Sequence, residues 1–277
     1  MIIVTGATGN VGRTLVRTLA GQGHEVTAVS RRIVPSDVPA GVRAVAADLA
    51  QPAAGPPTAA DAVFLLVGGD LMMAGDPATV VAPFTGAGRI VLLSSQGVAS
   101  RPDSLSHGRA FAAFERAVME SGTEWTILRP GGFASNSYAW APSIKAARTV
   151  AAPFGDVGLP VIDPDDIAAV AAVALTSPGH AKEVYELTGP EPVTPRERAA
   201  AIADAIGEPV TFADQTREEA RAQMVAFMPP PVADTTLDIL GTPTVRERTV
   251  SPDVERVLGR APGAFAAWAA RNAAAFR

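Results

Sequence analysis

Strand-length apolar segments alternating with helix-length ones predict an α/β protein: a doubly wound parallel sheet followed by a smaller C-terminal α+β lobe. Three observations carry that expectation. Residues 2–4 are apolar and run straight into a glycine turn, after which a helical periodicity begins. The segments 62–67 and 89–95 contain near-continuous apolar runs, as strands covered on both faces must. From residue 131 the alternation gives way to loop-rich sequence with scattered aromatic side chains.

Taken in order, Val11, Leu15, Val16 and Leu19 mark one face of a first helix that ends near Gly21 and Gly23. Residues 24–30, 42–47, 62–67 and 89–95 predict the second to fifth strands. A helix over about 106–121 and a strand over 124–128 follow. Such alternation builds βαβ units, and right-handed crossovers wind helices onto both faces of the sheet. The loops of 131–160 hold Phe133, Asn136, Tyr138, Trp140 and Phe154. Asp163 caps a helix with Pro164 at its first position, running to about Thr176, and 183–187 predicts the last strand of the main sheet. Thr194-Pro195-Arg196-Glu197 is a capping box, and Gly207 closes the helix it opens. A short strand at 210–213, a helix over about 217–227, a break at Pro229, Pro230 and Pro231, and a terminal helix from about 262 complete the pattern. The expected organisation is a core over 1–130, with 163–190 returning to it. The rest of 131–277 is expected to form pocket segments and a lobe folded over the sheet's ligand edge.

Bulk composition excludes several classes of activity. The 277 residues are 48% hydrophobic with a formal net charge of −5, which disfavours general affinity for nucleic acid. Cysteine is absent, so disulfides, thiolate catalysis and cysteine metal sites are excluded. His24, His107 and His180 lie far apart without metal-ligand spacing, so no metal is expected. The first strand begins at residue 2 and the longest apolar run, 167–175, is too short to span a bilayer. The expectation is a cytoplasmic protein that meets a small molecule and neither membrane nor nucleic acid, with its oligomeric state left open. Lysine occurs only at Lys145 and Lys182 and arginine supplies the other positive charges, a bias that reads as a GC-rich bacterial genome.

The strongest local signal is the glycine turn. Gly6 allows a sharp turn, Gly9 leaves no Cβ where a phosphate must approach, and Gly12 lets the helix pack on the sheet. With Thr8, Asn10 and Val11 they form a Rossmann cradle for a dinucleotide pyrophosphate at a helix N-terminus. At the end of the second strand, where an NAD site carries an acidic residue, the chain reads Ser30-Arg31-Arg32. Two guanidiniums suit a 2′-phosphate, so NADP(H) is expected over NAD(H). Asp48 is placed to meet the adenine amine, and Leu66, Val67 and Gly68 to line the adenosine side.

Several longer stretches carry a family resemblance. They are Thr-Gly-Ala-Thr-Gly-Asn-Val-Gly at 5–12, Val-Leu-Leu-Ser-Ser at 91–95, Phe114-Glu115, and Ser-Gly-Thr-Glu-Trp-Thr-Ile-Leu-Arg-Pro-Gly-Gly-Phe at 121–133. Val-Ile-Asp-Pro-Asp-Asp-Ile at 161–167, Tyr-Glu-Leu-Thr-Gly-Pro at 185–190 and Phe-Ala-Ala-Trp at 265–268 extend them along nearly the whole chain. The chain resembles the NmrA-like members of the atypical short-chain dehydrogenase/reductases. That group is similar to NAD(P)H-dependent quinone reductases, isoflavone-type reductases and redox-sensing regulators alike. The resemblance implies that the segment after the sixth strand leaves the sheet beside the nicotinamide, making Pro130 and Phe133 cofactor neighbours.

The wider superfamily uses Tyr-x-x-x-Lys with a serine to exchange a proton as hydride moves. Here the only tyrosines, Tyr138 and Tyr185, are followed four residues later by Pro142 and Gly189. Matched by position, the tyrosine falls near Gly108, the lysine near Ala112 and the serine at Gln96. A simple ketone needs a protein acid, whereas a quinone or conjugated carbonyl yields a delocalised anion that takes its proton from water. Two readings stay open. One is an NADPH-dependent oxidoreductase of a hydrophobic conjugated or quinone-like molecule, and the other a non-catalytic NADP(H) sensor acting through a protein partner. Ser94 and Ser95 either bond the cofactor or simply form a turn. His107 and Tyr138 are the candidate proton donors, and Gln96, Asn136 and Trp140 the candidate pocket residues.

Overall fold

Ile2, Ile3 and Val4 are buried in the strand they form, β1 (Ile2–Thr5), because helices cover both faces of the sheet at its centre. The structure is a computed structural model that describes residues 1–51, 60–69, 71–72 and 75–277. Its main sheet adds β2 (Val26–Ser30), β3 (Arg43–Ala46), β4 (Ala62–Leu66), β5 (Arg89–Leu93), β6 (Glu124–Pro130) and β8 (Glu183–Leu187). The strand order is β3-β2-β1-β4-β5-β6-β8, and every pairing is parallel. The order reverses between β1 and β4, which opens a crevice at the carboxyl ends of those strands. Thr5 extends the contact there: its hydroxyl donates to the Phe64 carbonyl at 3.1 Å and accepts from the Leu66 amide at 2.8 Å.

The chain divides into two units. The first holds Met1–Pro130, Pro164–Leu187 and Asp253–Gly259, and the second Gly131–Asp163, Thr188–Pro252 and Arg260–Arg277. In the first, Phe64, Leu65, Phe84, Ile90, Leu92 and Ile127 are fully buried around the central strands. Helix Pro164–Thr176 packs on helix Asn10–Gly21, and the Thr14 hydroxyl donates to Asp165 at 2.8 Å. The return of Asp253–Gly259 is absent from the sequence reading. It is tied to β8 by a bond from the Glu186 amide to the Asp253 carboxylate at 2.8 Å. In the second unit, Phe265, Trp268 and Phe276 form the core with Ile144, Val150 and Ile202. Asp163, expected as a cap, also accepts a hydrogen bond from Arg271 while buried.

The loop-rich reading of 131–160 is corrected. A 3₁₀ helix at Ala134–Trp140, an α-helix at Ala141–Ala147 and a strand, β7 (Thr149–Pro153), occupy it, and β7 pairs in parallel with β9 (Thr211–Gln215). That partner lies some sixty residues away, beyond any local pattern. The proline run does follow a break, between helix Arg217–Met224 and helix Pro230–Gly241, and Pro230 and Pro231 open the second helix, where a missing N–H costs no internal bond. The segment expected as one helix over 106–121 is a π-helical turn at Leu105–Arg109 leading into helix Ala110–Met119. The capping box at Thr194 and Glu197 forms as its sequence predicts, and Thr216/Glu219 and Thr244/Glu247 add two more. Among the described residues, no helix is long and apolar enough to cross a membrane.

Two outcomes follow from this packing. Phe64→Ala removes a fully buried ring from a central strand and should cost about 3–5 kcal/mol, read from the urea midpoint. His180 Nδ1 lies 2.8 Å from the Tyr185 hydroxyl, and desolvation, aided by Arg89, lowers the imidazole pKa from its usual 6.5 against the opposing charge of Glu183. The folded state therefore binds the proton less readily than the unfolded chain. Stability should be complete above pH 6.5 and fall as pH drops below it, and thermal melts of His180→Gln should show a shallower decline.

Candidate cofactor site

The glycine turn is built by close backbone approach. Gly6 has φ of +62°, and a Cβ at Gly12 would stand 2.2 Å from the Gly6 carbonyl oxygen. The helix Asn10–Gly21 begins at Gly9 with no side-chain cap among the described residues and no acidic residue in its first turn. The helix N-terminus lies just past the end of β1, and the partial positive charge of its first turn suits a pyrophosphate. The fit to a dinucleotide rests on that cradle, whose close approach of helix to turn any Cβ at Gly12 would prevent.

β2 brings the next group to the same edge. Thr8 Oγ1 and Ser30 Oγ lie 2.9 Å apart, linking the glycine turn to the last residue of β2. Arg31 and Arg32 follow directly and are exposed. The Ala47 amide donates to the Ser30 carbonyl at 3.2 Å, so Asp48 stands at the end of β3 next to this corner, its carboxylate also accepting from the Ala50 amide at 3.0 Å. Leu66, Val67 and Gly68 leave β4 beside Gly6, whose own missing Cβ would meet Leu66 Cδ1 at 2.9 Å.

At the ends of β5 and β6 the structure gives both serine hydroxyls internal partners. Ser94 Oγ donates to buried Glu115 at 2.5 Å, and Glu115 takes Arg129 as a bidentate partner, Nε at 2.9 Å and Nη2 at 2.5 Å. Ser95 Oγ accepts from the Gly97 amide at 3.1 Å. Ser95 thus forms a local turn bond, and Ser94 a bond to the helix Ala110–Met119. Gln96 is buried, with its amide bonded to the Pro130 carbonyl at 3.0 Å. His107 is half-buried in the π-helical turn, its amide held by Ser104 Oγ at 3.2 Å, and its Cβ lies against Gly97. Beside it, a Cβ at Gly108 would stand 2.1 Å from the Arg101 carbonyl oxygen. Position 108, near which the sequence comparison with the superfamily places its tyrosine, therefore has no room for a side chain. The sequence reading missed Glu115 and Arg129 as a pair, although Arg129 is an isolated charge at the end of an apolar strand.

In the second unit, Phe133 bridges to Ile162, and Asn136 is exposed. Tyr138 donates to Asn272 Oδ1 at 2.6 Å and its ring lies 5.1 Å from Trp268 and 5.9 Å from Phe276. That placement makes Tyr138 a packing residue of this unit's core rather than a group offered for proton transfer. Trp140 lies under the guanidinium of Arg198.

A family model described as NAD(P)H-binding matches residues 6–178. The (4-alkanoyl-5-oxo-2,5-dihydrofuran-3-yl)methyl phosphate reductase of Streptomyces griseus is 36% identical over 289 residues, covering 100% of this chain and 99% of the relative. The NAD(P)H azoreductase of Xenophilus azovorans is 34% identical over 286 residues, covering 100% and 99%. The crystal structure of Citrobacter sp. triphenylmethane reductase complexed with NADP(H) superposes with a TM-score of 0.81 at 21% identity, covering 99% of this chain and 100% of that one.

Glu115→Ala leaves the Arg129 guanidinium half-buried without its carboxylate and frees Ser94. It should cost about 3–5 kcal/mol in chemical denaturation, whereas Ser94→Ala should cost about 1 kcal/mol.

Proposed function

The chain belongs to the NAD(P)H-binding family, among its NmrA-like atypical short-chain dehydrogenase/reductases, and on that premise we propose that it is a reductase preferring NADPH that acts on a hydrophobic quinone-like or otherwise conjugated small molecule. The observation that carries the cofactor choice is the corner made by Thr8, Ser30, Arg31 and Arg32. The Thr8–Ser30 contact fixes the end of β2 beside the glycine turn, and the next two side chains are guanidiniums. A 2′-phosphate there gains charge-assisted bonds, where an acidic residue would repel it. Gly6, Gly9 and Gly12, with the N–H groups of Asn10 and Val11, hold the pyrophosphate. Asp48 meets the adenine, Leu66, Val67 and Gly68 line the adenosine, and Pro130 closes the nicotinamide end.

A bound nicotinamide supplies hydride. The chain's own part is to bind and orient, since Gly108 leaves no room for a tyrosine and Ala112 is no lysine. Proximity alone accounts for large accelerations when the partners are aligned. That restricts acceptors to those whose reduced form is delocalised and takes its proton from water, with His107 the remaining protein candidate at this edge. Acylated unsaturated lactones and azo compounds, the classes named for the two relatives, both meet that condition.

Replacing Arg31 and Arg32 together with alanine should weaken NADPH at least tenfold while leaving NADH nearly unchanged, by calorimetry. Equal weakening of both removes the cofactor preference. Absorbance of NADPH should fall when quinones or azo dyes are added to the protein. Tight NADPH binding without loss against any acceptor would favour the sensor reading instead.

A further inference from the structure

We propose that the second unit carries an oxyanion-binding site of its own, built on Arg198, Trp140 and Ser137, for a small molecule bearing a carboxylate or a phosphate monoester. Arg198 sits in the first turn of helix Pro195–Ile206 and is only 8% exposed. The contact the structure gives its guanidinium is the Trp140 ring, with Cζ 4.9 Å from the ring centroid. Among the described residues, Nε finds no hydrogen-bond partner. Burial alone pushes its pKa down to about 10, and no charged neighbour contributes.

Other arginines of this unit are treated differently. Arg196 pairs with Asp156 and Asp214, Arg148 with Glu208, and Arg271 with Asp163. Each of these is more exposed than Arg198, so the most buried guanidinium is the one left without a carboxylate. Ser137 adds a second orphan. It is 1% exposed, and its hydroxyl likewise has no partner among the described residues. Ser137 and Trp140 stand three apart in the 3₁₀ helix Ala134–Trp140, where such positions share a face. Ser137 thus stands one 3₁₀ turn before the tryptophan that carries Arg198.

A guanidinium has five donors and no acceptor, so only an anion neutralises it while filling its hydrogen bonds. Carboxylate and phosphate oxygens match its planar fork. An unpaired buried charge is a liability that an apolar replacement of similar size relieves. Its presence is accounted for by a ligand that completes it. All three residues lie in the second unit, so the site stands whether or not the reading of the cofactor cradle holds.

The test uses the full chain without nicotinamide cofactor. Thermal unfolding is followed against phenyl phosphate and benzoate, with phenol and benzyl alcohol as neutral controls at matched ionic strength. A saturable rise in Tm with either anion, absent with the neutral pair, is expected, and the anion that responds identifies the headgroup. Arg198→Met should keep or raise the ligand-free Tm and weaken the anion at least tenfold, and Ser137→Ala should weaken it several-fold. The response should survive replacement of Arg31 and Arg32 by alanine, which separates it from the cradle. No saturable response to either anion, a response retained in Arg198→Met, a response lost only with Arg31 and Arg32, or an Arg198→Met protein less stable than the parent would overturn the site.

Discussion

The contact on which the first unit depends is the approach of Gly12 to the carbonyl of Gly6. It seats helix Asn10–Gly21 against β1 with no room for a side chain between them. Its consequence is electrostatic as well as steric. The helix starts just past the end of β1, no side chain caps it among the described residues, and its positive end lies at the edge where strand order reverses. A turn satisfied from within would leave nothing for a phosphate to bind.

Buried charge follows two patterns in this chain. Glu115, Arg129 and Ser94 satisfy one another across helix Ala110–Met119, β5 and β6, in short bonds that leave the carboxylate fully engaged. They tie the carboxyl ends of β5 and β6 to helix Ala110–Met119. Arg198 shows the opposite pattern, a guanidinium carried into the second unit's interior with an aromatic face for company. The first arrangement is a brace. The second leaves the more deeply buried guanidinium with no carboxylate partner among the described residues, the feature on which the proposed oxyanion site rests.

The vacancy at Gly108 bears on chemistry more than on fold. The sheet, its crevice and the cradle are shared by proteins of many activities, and function resides in what stands around the nicotinamide. Here the backbone of the 105–109 turn packs against the Arg101 carbonyl so closely that position 108 has no room for a side chain. Under the proposed function, such a chain contributes positioning, and the acceptor's own electronics tolerate the charge it receives.

Most of the first unit was legible in the sequence. Its strands are local apolar runs, its helices local periodicities, and its glycine turn a local steric demand, so each is written within a dozen residues. The capping box at Thr194 was readable for the same reason. Tertiary structure alone decided the pairing of β7 with β9, the return of Asp253–Gly259, the use of Pro230 and Pro231 as a helix start, and the partners of Ser94, Tyr138 and Arg198. These depend on groups brought together from distant parts of the chain. A residue's propensity states which partners it can accept, and only the folded backbone states which of them it meets.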